Sequence, residues 1–176
     1  ASLVGLSGSS DGCSSFRLET RDNLLNEGIY EIAFSKDSSK VLDVNGASNS
    51  DGANVQIYTS NSTFNQKWSV KLVSGRKNAY TIESLCSGKL LASVGSNVVQ
   101  SAYDQNSQNQ MWTPVQVDAG SVVLQNVGTG KVLDVNGGNT TDGTNVQIYD
   151  ENGSLAQKFI FREAKAANSA THVFHS

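Results

Sequence analysis

Several kinds of residue are scarce in this sequence, and each scarcity narrows what the protein does. Only 16 % of the 176 residues are charged, and the formal net charge is −3. A protein that follows a phosphate backbone needs a basic stripe, and no Lys/Arg cluster occurs, so no nucleic-acid partner is expected. No apolar run approaches the length of a bilayer span, so no membrane insertion is expected. The only histidines, His172 and His175, fall in the last five residues without Cys or carboxylates at metal-ligand spacing. They read as part of a terminal tail, and neither a metal nor a cofactor is expected. Two cysteines, Cys13 and Cys86, make no recognisable disulfide framework. They form one disulfide or remain two buried thiols. The single Met is Met111 and no signal peptide precedes Ala1. The expectation is a processed or excised piece of a longer extracellular protein, secreted or held at the cell surface, that carries further modules.

What the chain has instead is Gly, Ser, Asn, Gln and Thr around a 38 % apolar fraction. That composition suits one all-β domain with many turns better than a helical bundle. An internal repeat gives the organisation. Residues 40–58 read KVLDVNGASNSDGANVQIY and residues 131–149 read KVLDVNGGNTTDGTNVQIY. The first leads to Gln66-Lys67-Trp68 and the second to Gln157-Lys158-Phe159. Between them lies Gln110-Met111-Trp112, preceded by Lys89-Leu90-Leu91-Ala92-Ser93. Three units therefore recur at a spacing of roughly 45 residues, the range of repeat architectures.

Short apolar-alternating runs predict four strands in each unit. They are Ile29–Phe34, Val41–Val44, Asn54–Tyr58 and Gln66–Leu72; then Ala79–Glu83, Leu90–Ser93, Val98–Ala102 and Met111–Val117; then Val122–Asn126, Val132–Val135, Asn145–Tyr149 and Lys158–Phe161. One unit cannot bury its apolar face alone, so three must close on one another as a barrel of three lobes. The repeats span about 28–75, 78–120 and 121–164, with an extension over 1–27 that packs on the barrel or adds a strand, and a tail over 165–176.

Along an extended strand successive side chains alternate between faces. With Leu42, Val44, Val55 and Ile57 turned inwards, Asp43, Gln56 and Tyr58 are expected to project outwards together, and Asp51-Gly52 supplies a turn between their strands. The third unit repeats this with Asp134, Gln147, Tyr149 and Asp142-Gly143. A carboxylate accepts hydrogen bonds from two adjacent hydroxyls, amides donate and accept, and an aromatic ring covers an apolar C–H face. That set suits a sugar.

The Gln-x-Trp tripeptides, with Leu-Asp-Val and Val-Gln-Ile-Tyr before them, resemble the ricin B-chain family of β-trefoil lectins over about residues 28–164. The resemblance implies a β-trefoil of three four-stranded repeats and a non-catalytic carbohydrate-binding module, galactose-type in preference, whose partners are glycans or glycoconjugates. It implies that Trp68, Trp112 and Phe159 pack in the shared core, and that each Gln pins main-chain groups between strands. It carries the sugar-binding role to Asp43, Gln56, Tyr58, Asn65 and Gln66 in the first unit and to Asp134, Gln147, Tyr149 and Gln157 in the third. In the third unit Ala156 replaces Asn65, so one polar contact is lost; in the second, Ala92 stands at the carboxylate position, which predicts a scaffold lobe. Such sites are shallow, with single-site affinities of ~mM to tens of μM.

The alternative is a structural or protein-binding trefoil without a glycan site. Catalysis has weaker support. Gly8-Ser9-Ser10-Asp11-Gly12 matches G-x-S-x-G, but no helical pattern follows it. Asp43 and Asp134 belong to separate lobes, too far apart for a glycosidase pair. Asn61, Asn139 and Asn152 lie in N-x-S/T sequons and otherwise read as loop residues.

Overall fold

In the first strand Tyr30, Ile32 and Phe34 point to one side and are buried, while Glu31 between them is part-exposed. Glu31 follows the alternation that half-buried strands require, whereas Ala33 on its side is covered as well. The computed structural model describes residues 23–166, and among these it contains twelve strands. They are β1 (Gly28–Phe34), β2 (Asp37–Val44), β3 (Val55–Thr59), β4 (Trp68–Leu72), β5 (Tyr80–Ser84), β6 (Leu90–Val94), β7 (Asn97–Ser101), β8 (Trp112–Asp118), β9 (Ser121–Asn126), β10 (Val132–Val135), β11 (Val146–Tyr149) and β12 (Phe159–Glu163).

The pairing has three-fold order. The first and last strands of each unit make a closed antiparallel ring, β1–β4–β5–β8–β9–β12 and back to β1. The middle strands of each unit, β2–β3, β6–β7 and β10–β11, form three hairpins. A six-stranded barrel with three hairpins is the β-trefoil, and ring closure leaves the barrel no free edge.

The core fills the barrel and the space under the hairpins. Trp68, Trp112 and Phe159 open the last strand of each unit and have no solvent exposure. Trp68 Nε1 donates to the Leu42 carbonyl at 3.3 Å and Trp112 Nε1 to that of Leu91 at 2.9 Å, tying each hairpin to the barrel. Burying such a ring contributes about 2–3 kcal/mol. Asn23 to Leu25 pack against the start of the second unit, while Asn26 and Glu27 bond to Tyr30 and Leu72 of the first. Leu24 N–H donates to Asn78 Oδ1 at 2.8 Å, and the Tyr80 hydroxyl donates to the Leu25 carbonyl at 2.6 Å.

Differences from the sequence reading lie at strand ends. Gln66 does not begin a strand, and its strand starts at Trp68; Gln110 and Gln157 lie, as expected, just outside theirs. Each closes a short 3-10 turn, Phe64–Gln66, Gln108–Gln110 or Leu155–Gln157, just before the aromatic strand. Cys86 is half-buried rather than buried, and its Sγ lies 3.6 Å from the Ala47 carbonyl. Cys13, Ser10, His172 and His175 lie outside the described residues.

Candidate functional site

The register of β2 against β3 sets Asp43 opposite Gln56, and that of β10 against β11 sets Asp134 opposite Gln147. After the aspartate each chain turns sharply through Asn-Gly. Gly46 and Gly137 take φ of 66° and 63°, a region that side chains disfavour. The 3-10 turn before the aromatic strand then folds over the hairpin. Between the two lies a groove.

The first groove, of about 440 Å³, is lined by Asp43, Gln56, Tyr58, Asn65, Asn45 and Thr63 among others. The third-lobe groove, of about 540 Å³, is lined by Asp134, Gln147, Tyr149, Asn136, Asn152 and Lys36 among others. Both floors are carboxylates fixed by amides. Asp43 Oδ1 accepts from Gln56 Nε2 at 3.1 Å; its Oδ2 accepts from Gln66 Nε2 at 2.8 Å and Asn65 Nδ2 at 3.2 Å. Asp134 Oδ1 accepts from Gln147 Nε2 at 3.0 Å and its Oδ2 from Gln157 Nε2 at 2.9 Å. Both tyrosines are exposed, Tyr58 at 40 % and Tyr149 at 55 %, and form the rim.

The outward projection expected of all three site side chains holds for the tyrosines and in part for Gln147, but not for Asp43, Asp134 or Gln56. Asp43 is 3 % exposed, Asp134 5 % and Gln56 9 %. Each does point away from the apolar face, as strand alternation requires, but the 3-10 turn and the Asn-Gly loop roof that side. The carboxylate therefore forms a floor instead of a protrusion. Burial raises the pKa of Asp43 above the ordinary aspartate value, partly offset by the hydrogen bonds from Gln66, Gln56 and Asn65. An outward Asp would cost little to remove. This one accepts three amide donors, and deleting it leaves them without an acceptor.

Gln66 and Gln157 have no exposure and stand behind the carboxylates, outside the groove linings. Gln66 Oε1 accepts from the Asn61 N–H at 2.8 Å, and Nε2 donates to the Thr59 carbonyl at 3.0 Å as well as to Asp43. Gln157 does the same with Asn152, Asp150 and Asp134. Gln110 makes the two main-chain bonds, to Asp104 and Ala102, but has no carboxylate to hold. In that second lobe Ala92 pairs with Val99 where the others pair Asp with Gln, so the floor is apolar. The sequence reading passed over Asn45, Thr63, Asn136 and Ser154, and took Asn61 and Asn152 only as sequon or loop residues; all of them line the grooves. The signal that would have found them is their place in the loops that follow the Leu-Asp-Val and Gln-Ile-Tyr strands.

The fold is thus a three-lobed β-trefoil in which two lobes carry a carboxylate–amide groove under an exposed tyrosine. The sequence matches the family described as ricin-type beta-trefoil lectin domain-like over residues 13–102, 65–149 and 108–173, and the chain belongs to that family. No curated protein matches the chain. Among solved structures it is similar to the designed 3-fold symmetric protein ThreeFoil, with 32 % identity and a TM-score of 0.72, covering 78 % of this chain and 99 % of that one. It is also similar to the Rhizoctonia solani agglutinin, with 25 % identity and a TM-score of 0.70, over 80 % of this chain and 98 % of that one. A third similarity is to a mosquitocidal holotoxin, with 27 % identity and a TM-score of 0.75, over 81 % of this chain but only 18 % of the toxin's.

Proposed function

We propose that the chain is a non-catalytic carbohydrate-binding module that holds glycans of galactose type in the first and third lobes. Membership of a lectin-domain family and likeness to an agglutinin support carbohydrate binding in general. The galactose preference rests on the ricin B-chain resemblance. The observation that carries the assignment to particular lobes is the repeated geometry: an amide-clamped aspartate on the floor and an exposed tyrosine on the rim, present twice, while the second lobe has Ala92, Val99 and Ser101 in place of the aspartate, its amide partner and the tyrosine.

In this reading the sugar stands on its edge in the groove. Two adjacent hydroxyls donate to the floor carboxylate, whose amide clamps hold its oxygens in place before the ligand arrives. The tyrosine ring covers the C–H face. The module works at an extracellular site, within or attached to a larger protein, and two weak grooves gain avidity on a multivalent glycan.

Isothermal titration with galactose and lactose tests this. Tyr58→Ala and Tyr149→Ala each remove one of two binding sites, with affinity at the altered groove falling about tenfold, the value of a lost aromatic contact. Both changes lie on exposed side chains, so the circular dichroism spectrum stays that of the parent. Undiminished stoichiometry in both variants would remove these grooves from glycan binding, and silence of the parent on a glycan array would favour a protein-binding trefoil.

A further inference from the structure

Lys36 belongs to the first lobe, yet it lines the groove of the third. It is an exposed residue in the turn between β1 and β2, and its Nζ donates to the Gly138 carbonyl at 2.7 Å. Gly138 occupies the place that Ala47 holds in the first lobe. There the neighbouring contact comes from Cys86, in the turn between β5 and β6, whose Sγ lies 3.6 Å from the Ala47 carbonyl. The two grooves thus share a floor and a rim but differ at the wall supplied by the next lobe. The third groove has there an ammonium with three donors, whereas Cys86 meets the Ala47 carbonyl from outside and does not line the first groove.

A second difference falls at the same spot. Asn65 of the first groove is replaced by Ala156 in the third. A Cβ on Gly138 would lie 3.6 Å from Lys36 Nζ and 3.7 Å from Ala156 Cβ, so both groups flank Gly138 in the lining of the same groove. The third groove has lost a neutral amide and gained a cation.

We propose that Lys36 is the specificity-determining residue of the third groove and selects an anionic sugar, while the first groove takes a neutral one. The proposal rests on the reading of both grooves as glycan sites. The floor carboxylate Asp134 repels an acidic substituent and accepts hydroxyls, so the substituent goes to the Lys36 wall. There it receives a charge-assisted hydrogen bond. One N–H of Lys36 is already engaged with Gly138, which places the head group before the ligand binds and reduces the ordering that binding costs.

The test is an NMR titration of the full chain with galactose, galacturonate and galactose 6-sulfate, in which the side-chain amides of Gln56 and Gln147 report the two grooves separately. The third groove is expected to bind an acidic sugar about fivefold tighter than galactose, the scale of one exposed ion pair, with no such preference at the first groove. The preference fades as salt rises. Galacturonate and galactose 6-sulfate distinguish a carboxylate from a sulfate as the favoured group. Lys36→Met removes the preference at the third groove and leaves galactose binding at the first unchanged. Equal affinity for all three sugars at the third groove, or a preference that survives Lys36→Met, overturns the role of Lys36 while the glycan reading stands. Absence of any shift at either groove overturns both.

Discussion

Gln66 and Gln110 occupy the same place in two lobes and differ by one bond. Both have almost no exposure, and each joins a loop N–H to a strand-end carbonyl. Gln66 alone also holds a carboxylate, Asp43. Replacing Gln110 by Ala leaves a main-chain donor and acceptor unpaired and is expected to cost about 2 kcal/mol. Gln66→Ala is expected to cost about 1 kcal/mol more, because the buried acid loses a donor as well. It also weakens sugar binding at the first groove by loosening the floor, without touching ligand. Urea unfolding of both variants measures the difference; equal losses would show that the Gln66–Asp43 bond adds nothing. At this scale the sequence disclosed residue identities better than their depth. Alternation showed that Asp43 and Gln56 share a face with Tyr58. It could not show that the segment ending at Gln66 folds back over that face, because the fold-back is a contact between residues more than twenty positions apart. Lys36 was invisible for a related reason: it lies outside the repeated motifs, and only the closed barrel brings the first lobe against the third.

Among elements, the Asp-Gly turns do more than reverse the chain. Asp142, in the β10–β11 connection, accepts from the Thr59 N–H at 2.8 Å and from Lys40 Nζ at 2.8 Å. Asp51, at the matching place in the first lobe, accepts from the Ala102 N–H at 2.8 Å. Each turn therefore clamps the outer end of a hairpin strand in a neighbouring lobe. The second lobe joins β6 to β7 by a tight turn at Gly95 and has no such arm. The bonds from Lys40 and Thr59 lower the pKa of Asp142. A lowered carboxylate pKa makes a stabilising contribution that is complete above the unfolded value and lost as pH falls through the folded one. The clamp is thus intact at neutral pH and fails in acid, below the ordinary value of 3.8. Hydrogen exchange at the Thr59 amide is expected to quicken in Asp142→Ala at neutral pH, while Ala102, clamped by Asp51, keeps its protection. Unchanged protection at Thr59 would show that the clamp is a surface contact without energetic weight. Strand positions were legible at this scale: all twelve predicted strands exist, shifted by a few residues at their ends. The turns between them were read as local, since a two-residue signal such as Asp142-Gly143 carries no record of what its carboxylate meets.

For the whole molecule, three asparagines hold the hairpins together at the pseudo-three-fold axis. Asn54 Nδ2 donates to Asn145 Oδ1 at 2.8 Å, Asn145 Nδ2 to Asn97 Oδ1 at 2.9 Å, and Asn97 Nδ2 to Asn54 Oδ1 at 2.9 Å. The ring closes on itself, one asparagine per lobe, each just before or at the start of the third strand of its unit. It also reaches the grooves, because Asn145 pairs with Gln56 and Asn97 with Gln147 across the lobe boundaries. The second lobe keeps its asparagine although it has lost the aspartate, which separates the residues that close the trefoil from those that shape a groove. A half-buried ring of amides acts as a unit: breaking one bond strands a donor on one neighbour and an acceptor on the other. Asn97→Ala and Asn54→Ala are each expected to cost about 1–2 kcal/mol. The double variant should cost less than their sum by about 0.5–1 kcal/mol, because the bond they share is counted in both single changes. Denaturant unfolding of the four proteins in the cycle measures this coupling, and strict additivity would show three independent surface amides in place of a closed ring. Asn97→Ala should further shift the Gln147 side-chain resonance more than that of Gln56, since the groove amide it faces across the boundary is the one in the third lobe.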